Sequence, residues 1–249
     1  DRASPQQLAD AAKEADCKSV AFTYNDPIIF MEYALDVATA CREQGIKTVA
    51  VTAGYIDPEP RVEFFSGIDA ANVDLKAFSD RFYYKICGGH LQPVLETLEY
   101  IRHETDTWLE LTTLLIPGEN DSPEELEAMT GWVVEHLGPD VPMHFTAFHP
   151  DWKMRDIERT PAATLSRARK IALDNGVRYA YTGNVKDTEG GSTWCHHCGE
   201  LLIERNWHSL GRWGLDGQGA CAACGSHVAG YFESGPGSGA QRPVRVRFS

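Results

Sequence analysis

Residues 18–52, KSVAFTYNDPIIFMEYALDVATACREQGIKTVAVT, contain one complete structural repeat. The opening KSVAFTY is short, β-branched and aromatic, as a buried strand requires. Over 28–44 the period changes: Phe30, Ala34, Leu35, Ala38 and Cys41 recur at helical spacing, and Gly45 stops the helix. TVAVT at 48–52 is a second strand, ended by Ala53-Gly54. Strand, helix and strand in that order form a parallel pair joined by a crossover.

The same alternation continues in both directions. Upstream, Ser4-Pro5-Gln6-Gln7 reads as a helix start, with a Ser cap, Pro at the first helical position and Gln7 reaching back. Leu8, Ala11, Ala12 and Ala15 give that helix an apolar face, and no strand precedes it, so a missing first strand is expected. Downstream, a short helix through Val62, Phe64 and Phe65 leads to a strand at 71–75 (ANVDL). Helices are expected over 79–86 and 92–102, and a long strand over 107–116 (TWLELTTLLI). A second capping box, Ser122-Pro123-Glu124-Glu125, opens a helix to Leu137, and strands at 141–148 and 177–181 flank a helix at 162–175. Six strands alternating with helices or loops indicate parallel α/β. A dinucleotide-binding sheet would carry a glycine-rich turn after an early strand. Gly88-Gly89 instead lies between two expected helices, so a partial or complete barrel is the fold expected.

The 249 residues, 43% of them hydrophobic, suffice for one large core and a small appended module, divided here as 1–186 and 187–249. The excess of 36 Asp and Glu over 23 Lys and Arg argues against a nucleic-acid partner. The basic cluster from Arg242 to Arg247 sits in a Gly/Pro/Ser-rich tail and is expected to be a short edge strand. No apolar run reaches membrane-spanning length and no leader opens the chain, so no membrane partner and a cytoplasmic location are expected. Cys17, Cys41 and Cys87 are irregularly spaced and fit reduced thiols.

The strongest chemical signature lies near the C-terminus: Cys195 and Cys198 in CHHC, and Cys221 and Cys224 in CAAC. Two such pairs suit a tetrahedral zinc site, which with four sulfurs is closed and structural. A thioredoxin-like redox pair is the main rival, but it belongs on a helix after a strand, whereas these pairs adjoin glycines. A rubredoxin-like iron or an auxiliary cluster is a further alternative. His196, His197, His208 or His227 could replace a sulfur, although the first two should point away from the centre. The segment between the pairs has few apolar residues, so its order is expected to depend on the metal. The aromatics Trp194, Trp207, Trp213, Tyr231 and Phe232 suit either a small core or a partner surface.

In a barrel, ligands meet the C-terminal ends of the strands. Those ends here carry Thr23-Tyr24-Asn25-Asp26-Pro27, Thr52-Ala53-Gly54-Tyr55, Asp74 and Lys76, Thr112 and Thr113, Phe148-His149-Pro150-Asp151 and Thr182-Gly183-Asn184. Each has a plainer alternative. Asp26 can cap the next helix, Asp74 can pair with Lys76, His149 can be an ordinary loop residue, and His144 can be a sheet histidine. Together they describe a pocket for a cofactor with amine, carboxylate and ribose hydroxyl groups.

TYNDP, TAGY, NVDLKAF, LTTLLIPGENDSPEEL and HFTAFHPDWKM at successive strand ends resemble the radical S-adenosylmethionine enzymes, in particular those similar to the pyruvate formate-lyase activating enzyme. The closing CxxC pairs point further, to the AmmeMemoRadiSam-system group. The resemblance implies a partial (β/α)6-type barrel lacking its first strand, followed by a zinc-ribbon-like module. It implies S-adenosylmethionine and a [4Fe-4S] cluster as cofactors beside Zn, and formation of a 5'-deoxyadenosyl radical that abstracts hydrogen from a protein or small-molecule substrate. A flavodoxin or ferredoxin would be the reductant. On this resemblance Asp26 stands for the glutamate of the family's Gly-Gly-Glu motif, with Tyr24 and Asn25 in place of the glycines. Thr52 lies on a ribose-side segment, Asp74 and Lys76 line the cofactor and substrate, and His149 lies near the adenine. Thr112 falls where the activating enzyme has an arginine. The family's CxxxCxxC cluster motif does not occur in this sequence; it belongs on the strand expected to be missing, and the fragment alone is expected to be inactive. Two other readings stay open: a non-redox scaffold that binds another protein, and an aldolase-like barrel using Lys76, which Asp74 would tend to keep protonated.

Overall fold

The computed structural model describes residues 3–207, 209–232 and 246. They divide into two compact units, one of residues up to 75 with 83–111, the other of 76–82 with 112–232. Six strands form one parallel sheet in the order β1 (Ser19–Phe22), β2 (Lys47–Thr52), β3 (Ala70–Asp74), β4 (Trp108–Leu115), β5 (Met143–Ala147) and β6 (Ala180–Gly183). The sequential order contains no reversal point, unlike a dinucleotide-binding sheet. Registers such as Val20 with Thr48, Val51 with Asn72 and His144 with Tyr181 are parallel.

In the first unit α1 (Pro5–Glu14) opens on the expected capping box, with both reciprocal bonds between Ser4 and Gln7 formed. A 3₁₀ turn at Pro27–Phe30 leads into α2 (Met31–Glu43), and α3 (Pro58–Ser66) and α5 (Leu91–Glu104) complete the unit's α-helices. Phe64, Phe65, Val73, Leu98 and Ile101 are fully or almost fully buried there. The second unit holds α4 (Asp80–Phe82), α6 (Pro123–His136), α7 (Ala162–Asp174) and α8 (Thr188–Gly191), with Leu126, Met129, Met143, Phe145 and Leu165 buried. A separate antiparallel sheet, β7 (Thr193–Trp194), β8 (Leu201–Asn206) and β9 (Ser209–Trp213), carries the tail. Among the described residues, no helix is long and apolar enough to cross a membrane.

Four local expectations need correction. The helix expected over 79–86 is the single turn α4 followed by a π-helical turn at Tyr83–Cys87. Tyr83 is buried while the next four residues are exposed, so no repeating apolar face sustains an α-helix. The last parallel strand begins at Ala180, later than expected, because Val177 and Arg178 donate their amides to Ala172 and Pro139. At α6 the Ser122 hydroxyl accepts from the Glu125 amide, but Glu125 does not close the box; its carboxylate accepts from the Phe78 amide instead. Finally, the segment between the cysteine pairs is less bare than expected. Leu202, Ile203 and Leu215 are buried with Val228, Cys195 and Cys221 around Tyr179, and Trp213 and Phe232 pack against that cluster. Trp207 and Tyr231 are exposed. The edge strand expected around Arg242–Arg247 lies, apart from Val246, outside the described residues, as does His208.

Candidate functional site

At the C-terminal ends of β1 and β2, Asp26 is a node. Its Oδ1 accepts from the Ile28 amide at 3.1 Å and the Thr52 hydroxyl at 2.9 Å, and its Oδ2 accepts from the Ala53 amide at 2.8 Å. The Thr52 hydroxyl in turn accepts from the Gly54 amide at 3.1 Å. The helix-capping alternative for Asp26 therefore holds, and the same carboxylate ties the loop after β1 to the loop after β2. Three donors do not exhaust a carboxylate's acceptor sites, so it retains capacity for one more. Asn25 beside it is exposed. Tyr24 is wholly exposed and has φ +70°, the left-handed region a glycine occupies without strain.

Asp74 ends β3, half-buried, and Lys76 is half-buried two residues on. The backbone after Lys76 is held by two side chains of the second unit. Asn120, wholly buried, donates through Nδ2 to the Lys76 carbonyl at 2.6 Å and the Leu114 carbonyl at 2.9 Å, while its Oδ1 accepts from the Ile116 amide at 2.7 Å. The Phe78 amide donates to Glu125 at 2.7 Å. Sequence reasoning missed Asn120, although an Asn in PGEND right after a strand is a recognisable loop-forming signal. It also missed Thr160, whose buried hydroxyl donates to the Leu115 carbonyl at 2.6 Å and accepts from the Phe148 amide at 2.9 Å, tying the ends of β4 and β5. Thr112 lies half-buried within β4. His149 is exposed, with no hydrogen bond or ion pair among the described residues. His144 stacks on Tyr181, ring centroids 5.1 Å apart, which is the sheet-histidine alternative.

The four tail cysteines converge, with all sulfurs within 4.8 Å of one another. Two edges, Cys195 to Cys224 and Cys198 to Cys221, measure 3.7 Å. Metal–sulfur bonds of ~2.3 Å would place tetrahedral edges at about 3.8 Å. The two halves are built alike. Gly199 and Gly225, at φ +74° and +72°, donate their amides to the carbonyls of Cys195 and Cys221 at 2.9 and 2.8 Å. Cys195 and Cys221 then donate to the carbonyls of Glu200 and Ser226 at 2.8 and 2.9 Å. Each turn needs its glycine, because any side chain at that φ would be strained. Burial pushes the Cys195 thiol up, but the amides of Cys198 and His197 and the sulfurs of Cys198 and Cys224 outweigh it, bringing it to about 7. The Ser226 amide favours a Cys224 thiolate, yet burial and hydrogen bonding to the other three sulfurs push that thiol up to about 12. Without a cation the group cannot ionise fully, which is what a divalent metal would relieve. His196 faces away, its ring nitrogens 3.4 Å from the Tyr179 hydroxyl and 3.4 Å from Ser226 Oγ. Elsewhere Cys17 and Cys87 are exposed and Cys41 is buried, and among the described residues only the tail cysteines converge.

Residues 1–130 match the radical SAM superfamily. An uncharacterized protein of Methanocaldococcus jannaschii is 37% identical over 226 residues, covering 90% of this chain and 67% of that protein. The 4-hydroxyphenylacetate decarboxylase activating enzyme of Clostridioides difficile is 23% identical over 178 residues, 67% of this chain and 55% of that enzyme. The chain thus spans about two thirds of the first relative's length and about half of the second's. A domain of a pyruvate-formate lyase-activating enzyme from Bacteroides vulgatus shares the fold, with a TM-score of 0.58 at 17% identity over 66% of this chain and 98% of that domain.

Proposed function

The chain belongs to the radical SAM superfamily, and from that premise we propose that the whole protein is an activating-enzyme-like radical enzyme of the AmmeMemoRadiSam-system group. It cleaves S-adenosylmethionine to a 5'-deoxyadenosyl radical that abstracts hydrogen from a partner protein or a small molecule, with a flavodoxin or ferredoxin as reductant. The observation that carries this reading is the superfamily match over 1–130, in a chain whose strand ends gather Asp26, Thr52 and Asp74. The superfamily implies S-adenosylmethionine and a [4Fe-4S] cluster. The first fits: the remaining acceptor capacity of Asp26 suits the cofactor's ammonium, with Asn25, Thr52 and Asp74 beside it in the sequence of strand ends. Lys76, Thr112 and His149 are assigned to the cofactor by the resemblance alone. The second does not fit the described residues, since Cys17, Cys41 and Cys87 do not converge. Cofactor reduction is therefore assigned to none of this chain's residues.

Calorimetry of S-adenosylmethionine on the full-length protein tests the reading. Binding that weakens at least about tenfold in Asp26→Ala or Asp74→Ala, as loss of a charge-assisted hydrogen bond predicts, supports it. Release of 5'-deoxyadenosine after anaerobic reconstitution and reduction with dithionite tests the chemistry, and no release with any reductant defeats it. The tail cysteines hold one zinc in a closed site. Less than about half an equivalent of zinc in purified protein, or iron with a visible charge-transfer band, would overturn that assignment.

A further inference from the structure

Between α7, the start of β6 and the cysteine module lies an open crevice of ≈ 200 Å³. Its walls are largely apolar, formed by Leu173, Ala180 and the rings of Tyr181 and Trp194, and its charged lining is Arg169 and Arg178. Among the described residues no carboxylate lines it, although acidic residues outnumber Lys and Arg by 36 to 23 in this chain. The polar atoms of its aromatic walls are already used: Tyr181 Oη pairs with Thr193 Oγ1 at 3.0 Å, and Trp194 Nε1 donates to the Glu189 carbonyl at 3.0 Å. The Tyr181 ring is engaged as well, stacked on His144 at 5.1 Å and overlain by the Arg205 guanidinium at 5.8 Å, so the ring surface offered to the crevice is that of Trp194.

The arginines are different. Arg169 is half-buried and fixed through Nε, which donates to the Ala180 carbonyl at 3.0 Å. Among the described residues, neither of its terminal nitrogens has a hydrogen-bond or ion-pair partner. Arg178 gives only Nη1 to Asp140, at 2.9 and 3.1 Å, leaving its other nitrogens uncommitted among the described residues. A pre-oriented guanidinium with open donors above an apolar floor is arranged for a planar oxyanion, which it meets in a two-pronged contact. A phosphate would leave the ring surface unused; a carboxylate on a flat hydrocarbon body satisfies both parts of the lining.

We propose that this crevice binds an aromatic carboxylate, with Arg169 as the anchor of the carboxylate and Trp194 as the platform for the ring. The site borders the four-cysteine cluster through Cys195. Two sources share this chemistry, a free aromatic acid and a C-terminal aromatic residue of another chain.

The test is titration of the metal-replete full chain with benzoate, followed by the Trp194 indole resonance, which Trp194→Phe identifies. Saturable shifts at that resonance are expected, with affinity falling about tenfold in Arg169→Met, the loss expected when a hydrogen bond to a charged group is removed. Arg169→Lys, which keeps the charge but not the fork, guards against misfolding and should fall between the two. Absence of saturable shifts, equal affinity in wild type and Arg169→Met with the fold retained, or inorganic phosphate binding as tightly as benzoate would each overturn the proposal. N-acetylphenylalanine binding more tightly than benzoate, with its amide inactive, would identify a chain terminus as the ligand; the reverse order would identify a free acid.

Discussion

The Asp26 node and the tail cysteines are both convergent polar clusters, but they close in opposite ways. Around Asp26 every donor finds its acceptor inside the protein: two amides and a hydroxyl on one carboxylate. Around the cysteines, among the described residues, the partners of the four sulfurs are backbone amides and one another. The first cluster holds two loops together whether or not a ligand arrives. The second presents a donor set that a cation could fill. Geometry alone therefore singles out the four cysteines as a group able to hold a metal ion, whereas the Asp26 node has the look of ordinary loop structure.

The sharpest way to break this contrast is to remove one sulfur. Cys198→Ala should release the metal and cost the tail stabilisation on the order of 10 kcal/mol, the scale of structural zinc in small modules. The core around Tyr179, Leu202 and Ile203 moderates the outcome. Hydrogen exchange should rise sharply in β9 and both CxxC turns, less in β8, and hardly at all in the parallel sheet. Unchanged protection across the tail would mean that its apolar cluster suffices and that the sulfurs are not a folding centre.

Asn120 gives the next largest effect and extends the Asp26 side of the comparison. Asn120→Ala removes the hydrogen bonds that Asn120 gives to the Lys76 and Leu114 carbonyls and takes from the Ile116 amide. At about 1–3 kcal/mol for an unsatisfied buried group, partly relieved by water, a loss of about 3 kcal/mol is expected in denaturant unfolding. A loss below about 1 kcal/mol would show that water replaces the amide fully and that Asn120 does not hold the backbone at Lys76.

These two residues also mark what the sequence could and could not disclose. The strand–helix alternation was legible because the short β-branched and aromatic runs at 18–24 and 48–52 and the stripe from Phe30 to Cys41 are burial patterns of the residues themselves. The cysteine centre was legible because CxxC spacing and a following glycine determine the turn. Thr160 was not, because it acts on backbone atoms many positions away, and Asn120 carried a loop signal in PGEND but nothing near it records its bond to the Lys76 carbonyl. Glu125 misled for the same reason: its local pattern fits a capping box, but the Phe78 amide takes its carboxylate. The tail core was legible in part, since Trp213 and Phe232 were core candidates and pack against it, but the share of Tyr179, which lies ahead of the cysteine segment, was not.

A smaller effect separates the self-satisfied nodes by pH. Burial alone would push the Asp69 carboxyl up, but the Lys47 ammonium at 2.7 Å, the Thr48 amide at 2.9 Å and the Thr48 hydroxyl at 3.3 Å outweigh it and hold its pKa below the usual range. Its stabilising contribution is therefore fully present above the unfolded value near ~3.9 and is lost as pH falls through the lower folded value. Asp69→Asn should cost about 1 kcal/mol at pH 7. The difference from wild type should shrink on acidification below about pH 4. A gap that stays constant to pH 2.5 would assign the effect to packing.

The smallest effect is expected at Tyr24, and its sign is favourable. A left-handed conformation costs a non-glycine residue roughly 1–2 kcal/mol, and the ring of Tyr24, wholly exposed, recovers none of it by burial. Tyr24→Gly relieves that strain but enlarges the entropy of the unfolded chain by roughly 0.5–1 kcal/mol. The net gain should be up to about 1 kcal/mol, read as a small rise in melting temperature. Because the Asp26 carboxylate is held by Ile28, Thr52 and Ala53, not by residue 24, the node should persist, and S-adenosylmethionine affinity gives a second readout. A rise in stability with unchanged affinity would mean that residue 24 contributes backbone only, as the glycine of the family motif does. If stability rises while affinity or turnover falls, the tyrosine ring is retained for the bound state, and the strain at φ +70° is what that contact costs.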